Sequence, residues 1–360
     1  MLRLVGLLLF GYAPLAMAHV QEGQPPQSYA LHWSFELWVI TCLAASIAWY
    51  AAGISRLWDK ASNSRNALIW QSMFFLLGWL TLVIALVSPV DALGVQLFSA
   101  HMVQHELMMI VAAPLLVISR PFGVWMWALP EHWRGSVVNA VRWSGIAVPW
   151  NFLTNSLIAW IVHALALWVW HVPAFFDAAL RQNDIHTWQH ASFLISALFF
   201  WWTVFRDGAV RSGCGKAILY LFTTMMHTGA LGALLTFSAT PWYSGYFASS
   251  TALGWDPLAD QQLGGLIMWI PGGLIYIGVA LALGAKWLDP DSHSENYQTN
   301  NQAEVRRSRY SSTYSILIIT MPAAVIGTAR ITPSIPAITP KSTCMMSASA
   351  GGISTTSCCR

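Results

Sequence analysis

Long apolar runs separated by short polar stretches fill most of the chain. Runs long enough to cross a bilayer fall at 34–53, 68–88, 98–119, 151–171, 186–205, 217–238 and 263–285. A helix needs about 20 consecutive apolar residues to cover the hydrocarbon core. The pattern therefore predicts an all-α fold, a polytopic membrane bundle of seven transmembrane helices. An earlier apolar stretch, residues 4–15, is shorter and contains Pro14. It follows Arg3 and precedes Ala16-Met17-Ala18, so residues 1–18 read as a cleaved secretory signal peptide. Beyond residue 292 the pattern changes. The last Trp is Trp287, the last His is His293, and Ser, Thr and Pro dominate. Residues 315–329 form an apolar run too short to cross comfortably, and Pro322 interrupts it. The tail 292–360 reads as disordered, and 30–288 as the membrane domain.

Composition supports this reading. Only 9% of the 360 residues are charged and 56% are hydrophobic, where a soluble domain carries about 25% charged residues. There are 21 Trp, many near the ends of the apolar runs, as expected for rings anchored at a membrane interface. No basic arm or aromatic-basic groove appears, which argues against nucleic acid as a partner.

The charges fall unevenly. Arg56, Lys60, Arg65, Arg120, Arg134, Arg142, Arg206, Arg211, Lys216 and Lys286 lie after runs one, three, five and seven, whereas the remaining loops hold Arg181 alone. The positive-inside rule makes the basic side cytoplasmic and the mature N-terminus extracytoplasmic. Five cysteines (Cys42, Cys214, Cys344, Cys358 and Cys359) form no C-x-x-C pair and no disulfide framework.

With that orientation, histidines gather at one depth. His101 and His105 lie in the outer half of run three, His171 ends run four, and His186 and His190 open run five. Residues four apart share a helix face, so each pair can present two imidazoles to one point. Neutral imidazole suits copper, zinc and iron, and ionisable groups inside a membrane are costly and tend to be functional. Such a site would weaken below about pH 6, because the ligands must be neutral. The bland alternative is that these are interfacial residues bonded to loops or water. His163 and His227 fall near mid-membrane, where they can be packing partners.

Carboxylates occur on the same side. Glu106 follows His105 and points about 100° away around the helix. Asp91, Asp177, Asp184 and Asp260 lie near the outer loops, and a carboxylate beside a ligating imidazole fixes its tautomer. Met102, Met108, Met109, Met225 and Met226 offer thioethers that suit Cu(I), or simply fill core space. Pro114 should kink the third helix, with neighbouring helices compensating the lost bond.

Four stretches, HMVQHELMMIVAAPLLVISRP (101–121), WHVPAFFDAALRQNDIHTWQHASFLISALFFWW (170–202), LGALLTFSATPWYSGY (231–246) and DPLADQQLGGLIMWIPGG (256–273), resemble the polytopic CtaG-type cytochrome c oxidase assembly factors. The resemblance covers about 30–288 and excludes the tail. It implies a role in maturing haem-copper oxidase in the bacterial inner (plasma) membrane, by making or inserting a copper centre. Oxidase subunits or other assembly factors would be the partners. The family's histidine motifs carry over to His101, His105, His171, His186 and His190, with Asp260 as the acidic motif residue. Glu106 and Asp260 are then the expected second shell. The competing readings are an intramembrane zinc-dependent hydrolase, with Glu106 or Asp91 as base, a b-type haem membrane protein, and a copper transporter, for which only His163 and His227 offer a mid-membrane path.

Overall fold

The computed structural model describes residues 33–61, 64–209 and 211–288. The expected signal peptide (1–18), His19, His32, His293, Cys344, Cys358, Cys359 and the tail lie outside the described residues. Within them the fold is all-helical, without a strand. In chain order the helices are α1 (Leu37–Trp58), α2 (Arg65–Leu86), the short α3 (Pro89–Gly94) and α4 (Phe98–Ser119). Next come α5 (Pro121–Ala128), α6 (Glu131–Arg142), α7 (Ser144–Leu153), α8 (Ser156–Trp170) and α9 (Pro173–Arg181). The chain continues through α10 (Asn183–Ala209), α11 (Arg211–Thr236), the short α12 (Phe247–Ala252) and α13 (Pro257–Leu288).

Five of these are long and apolar enough to cross a membrane: α1, α2, α4, residues Gly213–Thr236 of α11, and α13. The pair α7 and α8 makes a sixth if taken together, although it bends by 69°. The run expected at 151–171 is thus not one straight helix. Asn155 ends it from below: its side chain accepts from the Leu157 and Ile158 amides and starts α8 afresh. Arg206 donates to the Thr154 carbonyl at 2.7 Å and braces the break. The run expected at 186–205 lies within α10, a 27-residue helix. Its polar first turns, together with Arg206 and Asp207, leave it less apolar than the other long helices.

The outside of the bundle is apolar. Leu76, Leu80, Leu165, Leu219, Phe222, Leu234, Leu274 and Ile277 are all exposed, a surface that lipid rather than water would cover. The chain is a multi-pass membrane protein.

The central helix is α4, packed against α2, α10 and α13. Helices α11 and α13 share the most extensive contact. A methyl group at Gly265 would stand 2.7 Å from the Gly232 carbonyl oxygen, so only hydrogen at both positions allows the contact. Below the histidines, Met109, Phe193, Phe200, Trp201, Leu221 and Tyr276 form the main core. Met102 is buried with Phe98 and Phe176, and Met108 packs against α2, whereas Met226 is exposed. These three thus serve packing or the lipid face.

Pro114 leaves its mark as a change of helix type. Residues Leu107–Ala112 of α4 are π-helical, with the Ala113 amide bonded to the Met108 carbonyl. Continued by one residue, that pattern would require an N–H from Pro114 for the Met109 carbonyl, and proline has none. The Trp201 indole on α10 donates to that carbonyl instead, at 2.8 Å. The neighbouring helix compensates the lost bond.

Candidate metal centre

Asp260 fixes the start of α4. Its carboxylate is fully buried and accepts from the Phe98 amide at 2.7 Å, the Ser99 amide at 3.1 Å and the Ser99 hydroxyl at 2.5 Å. The Ser250 hydroxyl donates to it as well, at 3.3 Å. A carboxylate on the free amides of a helix N-terminus satisfies both hydrogen bonding and the helix dipole. None of these partners is an imidazole. The expected second-shell residue therefore positions the helix that carries His101 and His105 rather than a ring.

The five histidines come together. Ring centres of His101 lie 4.2 Å from His105, 5.3 Å from His186 and 5.6 Å from His190. His105 lies 5.2 Å from His190 and 6.4 Å from His171. His186 and His190, one helical turn apart, are separated by 4.1 Å. His101, His186 and His190 each offer a nitrogen, and these three atoms lie within 4.8 Å of one another. His101, His105, His171 and His190 are buried, and His186 is the least buried of the set.

Backbone carbonyls settle two of the tautomers. His101 Nδ1 lies 3.2 Å from the Gly94 carbonyl, and His171 Nδ1 lies 2.7 Å from the Leu167 carbonyl. A carbonyl only accepts, so each Nδ1 carries the proton and each Nε2 keeps its lone pair free. The Tyr246 hydroxyl also donates to the Gly94 carbonyl, at 2.8 Å. The Tyr243 hydroxyl donates to the His171 carbonyl at 3.0 Å. All five Nε2 atoms, and Nδ1 of His105, are buried without a hydrogen-bond partner. Buried nitrogens are seldom left so, and a cation is the partner that a set of lone pairs fits. The donor set matches copper or zinc, both of which accept imidazole nitrogen.

Aromatic rings close the site. Phe176 of α9 is fully buried, 5.1 Å from His101, 6.1 Å from His171 and 4.3 Å from Tyr243. Phe193 lies 4.6 Å from His105 on the deeper side. Sequence reasoning missed both rings. It also missed Gln189, wholly buried between His186 and His190 on α10 with neither amide atom partnered, and Gln104. Gln104 Nε2 donates to the Ala85 carbonyl at 2.8 Å and to Asp91 Oδ1 at 2.7 Å, tying α4 to α2 and α3. The i, i+3 spacing of Gln104 from His101 was the available signal.

Other expected residues stand apart. Glu106 turns toward α13, where a methyl at Gly272 would meet its Oε2 at 3.2 Å. His163 is bonded to Ser196 at 3.1 Å and stacked on Phe200, and His227 lies against Trp160. Asp177 receives the Ser244 hydroxyl at 2.9 Å, and Asp184 sits in the first turn of α10.

A helical membrane protein with a buried histidine cluster at one end of its bundle is the class that fold and site define. Residues 48–289 match the family model of the cytochrome c oxidase caa3 assembly factors (Caa3_CtaG). The chain belongs to this family. It is 30% identical over 258 residues to an uncharacterized protein of Mycobacterium bovis and to one of Mycobacterium tuberculosis, covering 67% of this chain and 37% of each relative. An uncharacterized protein of Mycobacterium leprae is 27% identical over 311 residues, covering 81% of this chain and 44% of that one. The chain thus spans less than half the length of the curated relatives it matches. No solved structure matches.

Proposed function

We propose that the chain is a membrane assembly factor for haem-copper cytochrome c oxidase that binds or delivers copper through His101, His105, His171, His186 and His190. One observation carries the reading: five imidazoles within a few ångströms of one another all keep a buried, unpartnered Nε2. Family membership supplies the oxidase, and copper is the cargo that such a protein would handle. The partners are then oxidase subunits or other assembly factors. With α10 as a further span and α7–α8 as one, seven spans result. The basic loops then put the histidine end on the extracytoplasmic side of the bacterial inner membrane.

The hydrolase reading is less well supported. Glu106 faces Gly272, away from the three-histidine set, and Asp91, although near enough to act electrostatically on His186, has one carboxylate oxygen engaged by Gln104. Phe176 and Phe193 pack directly on the rings, where a haem macrocycle would have to displace them, so the haem reading has less support.

The test is cellular. His101→Ala and His105→Ala should reduce mature oxidase at least tenfold while the protein stays in the membrane at its normal level. Wild-type amounts of oxidase in both variants would refute the proposal.

A further inference from the structure

The five histidines divide into two unequal groups. His101, His186 and His190 offer nitrogens within 4.8 Å of one another, and His105 and His171 fall outside that set. With metal–nitrogen bonds of about 2.0–2.1 Å and roughly 1.1 Å more to each ring centre, two imidazoles at a tetrahedral angle have centres about 5.2 Å apart. On opposite sides of one ion the separation becomes about 6.4 Å. His101 lies 5.3 Å from His186 and 5.6 Å from His190, while His186 and His190 stand closer together at 4.1 Å. His105 is also 5.2 Å from His190, but its nitrogens stay outside the three-residue set. His105 and His171 are 6.4 Å apart.

We propose that the cluster holds two ions: one at His101, His186 and His190, and a second, monovalent soft ion between His105 and His171. This rests on the copper-binding reading above and deepens it. His105 lies one turn deeper along α4 than His101. Its two ring nitrogens and His171 Nε2 are all buried and unpartnered, and the Leu167 carbonyl holds the His171 ring in the tautomer that frees Nε2.

The surroundings select the charge. Phe193 lies 4.6 Å from His105 and 6.1 Å from His171, and Phe176 lies 6.1 Å from His171. Glu106, next to His105 in sequence, turns away to Gly272. Two neutral donors among apolar rings give a divalent ion neither the ligand number nor the countercharge it needs. Cu(I), which accepts soft and imidazole ligands, carries half the charge and is correspondingly easier to desolvate. Repulsion from the neighbouring ion is also halved when this one is monovalent.

Counting equivalents tests the proposal. The full chain, purified metal-free in detergent, is titrated with Ag(I), with Cu(I) under anaerobic conditions, and with Zn(II). The wild type should bind two monovalent ions and one Zn(II). His171→Ala and His105→Ala should each bind one monovalent ion and still one Zn(II), the retained zinc showing that the fold and the other site survive. His186→Ala should lose the zinc and keep one monovalent ion. A wild type that binds a single monovalent ion would overturn the proposal. So would a His171→Ala variant that keeps two, or one that loses zinc and the monovalent ion together, as a single five-histidine site requires. A wild type that binds no metal would instead overturn the copper-binding reading itself.

Discussion

Asp260 is the residue on which the site's placement depends most, and it does so without touching an imidazole. It holds the first amides of α4 and the Ser99 hydroxyl, and so sets the height at which His101 and His105 enter the bundle. Asp260→Ala leaves the Phe98 and Ser99 amides buried without an acceptor. Each unsatisfied buried group costs about 1–3 kcal/mol, so the variant should melt well below the wild type in detergent and lose metal with it. An unchanged melting temperature would mean that water or a neighbouring group replaces the carboxylate. Four of the five histidines were legible in the sequence because i, i+4 spacing is a local property of a helix, and His171 was legible from its place at the end of run four. Asp260's task was not. Its partners on α4 lie more than 160 residues away, and nothing in DPLADQQ tells a helix-capping carboxylate from one that orients an imidazole. Phe176 and Phe193 were illegible for a similar reason, since an aromatic ring in an apolar run carries no sign of which neighbour it faces.

Among the elements, α4 departs furthest from a regular α-helix. Its π-helical turn lies directly below the histidines, a position where such turns are frequently found in functional sites. Pro114 leaves the Met109 carbonyl without an amide, and Trp201 takes its place. Trp201→Phe should therefore destabilise the protein by about 1–3 kcal/mol, the cost of an unsatisfied buried group. The loss should be smaller in a Pro114→Ala background, where an N–H returns to α4. A thermal double-mutant cycle measures this directly, and additive effects would contradict the pairing. Proline in run three announced the disturbance, although not its π form. By contrast, the break between α7 and α8 was missed, because Thr154-Asn155-Ser156 lies inside an otherwise apolar stretch. Asn155 starts α8 by accepting from the amides of Leu157 and Ile158, so its capping role outweighed the apolar pattern around it. The helices α3, α5, α6 and α9 were likewise read as loops, since each is too short or too polar to register as a span.

For the whole molecule, hydropathy alone was enough to reveal a helical membrane bundle, because lipid demands internally bonded backbone in every span. It overran the count of clearly apolar helices, since α10 mixes a polar, histidine-bearing end with a spanning length. The close seam of Gly232 against Gly265 supports the α13 scaffold from which Asp260 projects. Gly265→Leu should separate α11 from α13, lower the folded yield several-fold, and abolish metal binding in what remains. A well-folded Gly265→Leu protein would show that the seam is dispensable.

The central claim is that the histidine cluster binds copper. The direct measurement is metal content by mass spectrometry on detergent-purified protein from copper-replete cells, for the wild type and for the His101→Ala/His105→Ala double variant. Copper is expected in the wild type and is expected to be lost from a double variant that elutes as the same folded species. Equal copper in both, or a wild type that carries none, would contradict it.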